Sequence, residues 1–368
     1  MSSNTQKQWQ SYFDAEIKTL TSILSNNGYS LDESQPHTQG ERFLMQAVTT
    51  KSGKKIILLG NDDHTGKRVV IKASSDPAGK KELAHERICR TLLSNIHFSY
   101  SIFSVPTELL YTEIDGMLVT IQEYIAQTST FLDRPTAEQF TLSLQALKIQ
   151  EGAHATTRGH FKSIAHTFGS RTSENYIDMF QAFTKEVISI LPDNHGVQQS
   201  LLEAEVALMQ NEERIEQYCG FLTHTDFVPH NFRVQDDQMY LLDFSSLLFG
   251  NKYEGWARFL NFIALHNPEL EEALEQYVTD NRAPEEVQTL HLMRLYRLGE
   301  IIRYYAGTLS SSSGDLLTLN TARVDFWHEV LKVTLADTRI SEKTRDDYVL
   351  LRDSLRSSGE KERQKGLL

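Results

Sequence analysis

Apolar residues in QKQWQSYFDAEIKTLTSIL recur at helical spacing (Trp9, Phe13, Ile17, Leu20, Ile23), and the run breaks at SNNGYS, so a helix opens the chain. From Arg42 the period changes. RFLMQAVTT, KKIILLGND and KRVVIKAS are β-rich runs joined by KSG and DHTG, both turn-forming, and they predict an antiparallel meander. KKELAHERICRTLLSN returns to a helical period, and VPTELLYTEIDGMLVTIQEYI adds two strands around a turn at Asp115-Gly116. The first third thus reads as a five-stranded sheet with one inserted helix. After AQTSTFLDRP the pattern is helical almost to the end, from TAEQFTLSLQALKIQEGAHA to DFWHEVLKVTLA. One strand-loop-strand unit, FLTHTDFVPHNFRVQDDQMYLLDFSS, interrupts it. The polar tail SSGEKERQKGLL is expected to fray. The class that follows is α+β and bilobal, with a β-rich lobe over residues 1–125 and a larger helical lobe over residues 126–368.

Composition narrows the function more than the fold. The chain has 368 residues, 40% of them apolar and 23% charged, which is ordinary for a globular protein with a sizeable core. Its net charge of −12 argues against a nucleic-acid partner, which calls for a basic face. It leaves room for a nucleotide, whose phosphates need only a local cationic pocket. The acidic excess suits a cationic substrate, as it does a merely solvated surface. Cys89 and Cys219 stand in unrelated contexts and give neither a disulfide framework nor a metal knuckle. The start, MSSNTQKQWQSYF, has no basic stretch followed by an apolar run, and no later segment is apolar enough for a bilayer. No membrane partner is expected, and the cytoplasm is the expected compartment.

The candidate chemistry lies in the interrupting unit. His224, Asp226 and Asn231 stand in the spacing His-x-Asp-x-x-x-x-Asn, that of a kinase catalytic loop, and the run MYLLDF then delivers Asp243. Three fixed positions need context, and it lies upstream. In KRVVIKAS the alternation puts Val70 and Lys72 on one face, where a lysine reaches phosphates and a small apolar residue packs on an adenine. The following helix offers Glu82 or Glu86 as partner for Lys72, with Glu86 preferred because it lies nearer the Leu83/Cys89/Leu93 face. TIQEYIA ends the last strand where a hinge belongs, so the Glu123 carbonyl and the Ile125 amide are the expected adenine contacts. A phosphate-covering loop belongs at TTKSGKK, with Thr50, Ser52 and Gly53, and the alternative is the loop at Gly40. His154, His160 and His166 are six residues apart and do not align on a helix face, so no metal set is expected there.

Taken together, these residues resemble the protein-kinase-like superfamily and, within it, the aminoglycoside phosphotransferase and choline kinase group. The likeness rests on motifs from Arg42 to Phe249 and on architecture beyond. It implies a protein-kinase-like fold, ATP and Mg²⁺ as cofactors, and transfer of the γ-phosphoryl group to a hydroxyl of a small molecule. By the same resemblance Lys72 and Glu86 form an ion pair, Asp226 is the catalytic base in its His224 loop, and Asn231 and Asp243 hold the metal. Thr225 follows His224 where many protein kinases have arginine, and no Ala-Pro-Glu segment follows Asp243; both favour the small-molecule branch. Two positions depart from the group: Thr225 stands where glycine is common, and GNKYEGW lacks an expected second Asp. A protein kinase-like enzyme and a catalytically silent, regulatory nucleotide-binding protein are the competing readings. The acceptor stays open among aminoglycosides, choline-like amines, amino alcohols, sugars and nucleosides. The acidic run NPELEEALEQYVTD would favour a cationic one if it lined the cleft, and is otherwise a solvated helix face.

Overall fold

The computed structural model describes residues 2–35, 38, 40–49, 54–95, 104–152, 158–235 and 238–365. Helix α1 (Ser2–Asn26) lies under a five-stranded antiparallel sheet of order β1-β2-β3-β5-β4, built from β1 (Tyr29–Leu31), β2 (Ile56–Asp62), β3 (Arg68–Ser74), β4 (Glu108–Ile114) and β5 (Met117–Glu123). Leu20, Ile23 and Leu24 of α1 meet Ile56, Leu58, Val69, Ile71, Val119 and Ile121 in a core of their own. Alternation along β3 sends Val69, Ile71 and Ala73 into this core and Val70 and Lys72 to the opposite face. At the β4–β5 turn Asp115 and Gly116 have φ of 52° and 79°, the pair of positive values that a type I′ hairpin demands.

The expected first strand, RFLMQAVTT, is a helix. Residues Gly40–Thr49 form α2, and the edge strand is instead the short β1. An unbroken apolar run carries no clean period, so the packing partners decide. Leu44, Met45 and Val48 lie on one side of α2 and pack against Leu316 and Tyr305, while Phe43 meets Trp9 and Phe13. Thus α2 touches both the sheet-side helix and the helical lobe. After β3 comes α3 (Pro77–Asn95), the inserted helix.

The helical lobe contains α4 (Thr136–Gly152), α5 (Arg158–Phe168), α6 (Ser173–Ile190), α7 (His195–Gln210) and α8 (Glu212–Gln217), then the strand unit β6 (Phe221–His224), β7 (Phe232–Gln235), β8 (Gln238–Leu241) and β9 (Leu247–Gly250). It continues through α9 (Glu254–His266), α10 (Pro268–Asn281), α11 (Pro284–Thr308), α12 (Gly314–Leu335), α13 (Glu342–Ser354) and α14 (Ser358–Lys365). Strand β6 pairs with β9, and β7 pairs with β8. The core gathers around α9 and α11, with Trp256, Phe259, Leu260, Leu295, Tyr296 and Leu298 buried. Gly299 lets α11 approach the Phe180 ring so closely that a β-carbon there would collide with it. Asn267 caps α10, accepting the Leu270 amide at 3.2 Å, with Pro268 in the first turn.

Two further expectations change. Although polar, the tail is helical in α14, and its buried Glu360 carboxylate accepts the Glu41 amide of α2 at 3.3 Å. The acidic run forms α10, whose Glu271 and Glu275 are spent on Arg294. It contributes nothing to the cleft cavity described below. Among the described residues no helix is long and apolar enough to cross a membrane.

Candidate active site

Lys72 leaves β3 on the cleft face and meets Glu86 of α3 in a buried ion pair, with the two residues 8% and 3% exposed. That settles the choice between the two glutamates, because Glu82 pairs with Lys55 instead. Lys55 escaped the sequence reading. Burial works to lower its pKa, but Glu82, Asp243 and Glu86 together raise it, so it carries its charge beside the expected metal ligand. Two lysines therefore stand at the place where phosphate charge is expected.

Asp243 follows β8, and its carboxylate is fixed by three donors: the Ser245 amide at 3.1 Å and hydroxyl at 2.6 Å on Oδ1, and the Ser246 hydroxyl at 2.7 Å on Oδ2. Burial works to raise its pKa, and the His224 ring, these hydrogen bonds and Lys55 outweigh that and lower it. His224 is fully buried, and its Nε2 donates to the Asp243 carbonyl at 2.7 Å. Burial lowers the pKa of the imidazole and keeps it neutral at neutral pH. Gln150 accepts the His224 amide at 3.3 Å. Hence His224 splints the loop carrying Asp226 to the loop carrying Asp243. Thr225, unexpected at its position, extends the splint, since its amide and hydroxyl both donate to the Ser246 carbonyl, at 2.8 and 3.0 Å.

Asp226 is half-exposed, with its Oδ1 accepting from Arg258 Nε and its Oδ2 from Asn231 Nδ2, both at 2.9 Å. Burial works to raise its pKa; the Arg258 and Arg297 guanidiniums prevail and hold it down at about 2. Asn231 also donates to the Asp226 carbonyl at 2.7 Å, so its amide oxygen is the atom left for ligation. Arg297 in turn is anchored by Glu254, a fully buried carboxylate in the first turn of α9 that also takes Arg171 at 3.0 Å and Tyr176 at 2.6 Å. The second acid missing from GNKYEGW is matched here by a glutamate in a structural position. Gly255 permits the approach, because a β-carbon there would strike Gln150 and crowd Thr223, whose hydroxyl accepts the Gly255 amide at 3.1 Å. Arg258, Arg297 and Glu254 were hidden among residues that read only as amphipathic helix.

The expected hinge follows the last strand of the sheet. Glu123 ends β5, its amide donating to the Thr107 carbonyl at 3.0 Å and its carboxylate accepting the Thr107 amide at 2.8 Å. The Ile125 amide makes no hydrogen bond among the described residues. Thr50, Ser52 and Gly53, the expected phosphate loop, lie outside the described residues, as does His154. Gly40 begins α2. Among the described residues no three His, Cys, Asp or Glu side chains cluster as a self-sufficient metal site. Asp226 opens onto a cavity of about 760 Å³ between α2 and the helices α9, α11, α12 and α13.

This geometry can be compared with solved structures. Aminoglycoside 2′-phosphotransferase-IIIa, in its GDP complex, superposes with a TM-score of 0.53 at 10% identity, over 76% of this chain and 94% of its own. Aminoglycoside phosphotransferase APH(4)-Ia gives 0.51 at 16% identity, over 87% and 97%. Amicoumacin kinase hAmiN, solved with AMP-PNP, Ca²⁺ and Ami, gives 0.51 at 14% identity, over 78% and 87%. The chain has an aminoglycoside-phosphotransferase-like fold. This bears out the bilobal, protein-kinase-like architecture read from the sequence. No protein-family model matches the chain, and no curated protein does.

Proposed function

We propose that the chain is a small-molecule kinase, moving the γ-phosphoryl group of ATP to a hydroxyl of an acceptor bound in the cavity beside Asp226. The observations that support this reading are the buried Lys72–Glu86 pair, with Lys55 close to both Glu86 and Asp243, and the His224 ring that ties Asp243 to the loop of the Asp226–Asn231 pair. Of the solved structures with this fold, one holds GDP and another AMP-PNP with an antibiotic, which is in keeping with nucleotide-dependent transfer to a small molecule.

In this reading Lys72, oriented by Glu86, binds the α- and β-phosphates, and Lys55 adds charge on the same side. Val70 packs on the adenine, and the Glu123 carbonyl and the Ile125 amide take its edge. Asp243 and Asn231 offer one carboxylate and one amide oxygen, a hard, incomplete set that suits Mg²⁺ shared with phosphate oxygens. The ion would neutralise charge on the transferring group. Asp226 orients the acceptor hydroxyl and takes its proton as the new P–O bond forms and the bond to the departing ADP breaks. With a pKa of about 2 the carboxylate is a weak base, so its main contribution is alignment of the nucleophile. His224 is a positioning residue.

Calorimetry with Mg²⁺ and ATP, and with GTP in parallel, tests the nucleotide half of the proposal. Wild type should bind one nucleotide, and Lys72→Ala should bind it about tenfold more weakly or worse, as expected for loss of a charged contact. No nucleotide binding by wild type would overturn the reading. A pH profile makes a second check. The folded pKa of Asp226 lies below the ordinary carboxylate value, so the stability it contributes is present above about pH 4 and declines as pH falls towards 2. Because the pKa of Asp226 is about 2, kcat should show no acid limb from this carboxylate between pH 5 and 8. Arg258→Gln should move the acid limb upward; an unmoved limb would disconnect Arg258 from the base.

A further inference from the structure

The cavity above Asp226 has the wrong charge for an amine. Its walls carry eight cationic side chains, seven of them from the chain's 20 arginines, against four carboxylates. This local excess lies within a protein whose net charge is −12, so composition does not account for it. The carboxylates are already engaged. Asp226 is held by Arg258, Glu300 by Arg297, Asp353 by Arg352 and Arg356, and Glu41 by Arg323 and Arg356. Arg323 feels the surplus directly: burial first, and then Arg356 and Arg352, bring its pKa down to about 10. His230 and His266 also line the cavity, and burial and neighbouring arginines hold both neutral, with pKa values of about 3. Tyr304, Tyr348 and Phe262 complete an aromatic part of the wall. An aminoglycoside, whose amines are protonated at neutral pH, would meet repulsion here.

Resting on the kinase reading above, we infer that the acceptor is a hydroxylated anion, a small molecule bearing a phosphate monoester or carboxylate group. Guanidinium forks match both oxyanions in shape and charge, and a cavity of about 760 Å³ suits a metabolite-sized ligand. The anionic group sits among Arg303, Arg352 and Arg356, and the hydroxyl to be phosphorylated points to Asp226. Helix α2 makes the cavity selective from the other side, since Arg42 joins the cationic wall in place of a flexible connection.

The test supplies the full-length protein with Mg²⁺ and ATP and two acceptor pools. One pool holds glycerol 3-phosphate, sugar monophosphates and hydroxycarboxylates; the other holds kanamycin, hygromycin B and amino alcohols. Arg352→Gln and Arg303→Gln are made in parallel. Both arginines have only part-exposed carboxylate partners, Asp353 at 3.0 Å and Glu186 at 3.4 Å, so the fold should survive, and the melting temperature checks this. Turnover confined to the anionic pool, with KM raised about 10–100-fold in either variant and nucleotide affinity unchanged, is the expected result. Turnover confined to the cationic pool would overturn the inference while leaving the kinase reading intact. If neither pool turns over, titration with glycerol 3-phosphate and inorganic phosphate decides: saturable binding weakened in the variants supports an oxyanion site, and no binding at millimolar concentration overturns it. Absence of nucleotide binding counts against the kinase reading alone.

Discussion

Asp226→Ala should lower kcat by about 10²–10⁴-fold while the affinity for Mg²⁺ and ATP changes little. Among the described residues the carboxylate is the only acidic group that the strand unit presents to the proposed acceptor cavity, and both its oxygens are already aimed, one by Arg258 and the other by Asn231. Removing it deletes the group that aligns and deprotonates the hydroxyl. It leaves Lys72, Glu86, Lys55 and Asp243 in place on the nucleotide side. Asp226→Asn sharpens the measurement, because it keeps the volume and the Asn231 contact but loses the charge. Single-turnover kinetics with tight ATP binding retained is the diagnostic pattern. Full turnover in either variant would remove Asp226 from the chemistry.

The largest structural effect is expected at Glu254. This fully buried carboxylate serves Arg171, Arg297 and the Tyr176 hydroxyl, so Glu254→Ala takes the carboxylate from Arg171 and the Tyr176 phenol and leaves Arg297 with Glu300 alone. Breaking a buried pair from one side costs about 3–5 kcal/mol. With roughly 2–4 °C per kcal/mol in domains of 150–250 residues, thermal unfolding should start on the order of 6–20 °C earlier. Glu254→Gln should lose less, because its one amide oxygen still accepts from either Tyr176 or Arg171. The same change reaches the active site through Arg297, one of the charges holding Asp226 ionised. A melting curve within about 1–2 °C of wild type for the alanine variant would show that the arginines find other partners.

How much of this was legible beforehand follows from how each feature is encoded. The candidate catalytic loop was readable because phosphoryl-transfer chemistry would demand particular side chains at fixed offsets within 20 residues, from His224 to Asp243. Lys72 was readable because strand alternation separates it from Val69 and Ile71. Glu86 required only one turn of helix to be counted from Glu82. By contrast, FLMQAV satisfies either period, and only Leu316 and Tyr305, far along the chain, decide for a helix. The arginines of the cavity come from α2, α9, α11, α12, α13 and the turn that follows α13. Periodicity marks a buried face; it does not say that a position on it turns a guanidinium towards a cavity. Net charge is blind to the cavity for the same reason, since it sums over the whole chain.

Helix α2 has one more consequence. It contacts the acceptor cavity through Arg42 and Met45 and is joined through residues 50–53 to Lys55, which lies beside Asp243. Under the kinase reading the two substrates would be read by the two ends of one short connection. Any acceptor that settles this helix changes the free energy of seating a nucleotide, and linkage requires the nucleotide to return the same factor to the acceptor. Under the kinase reading the two substrates would be thermodynamic effectors of one another across a single helix-to-strand connection.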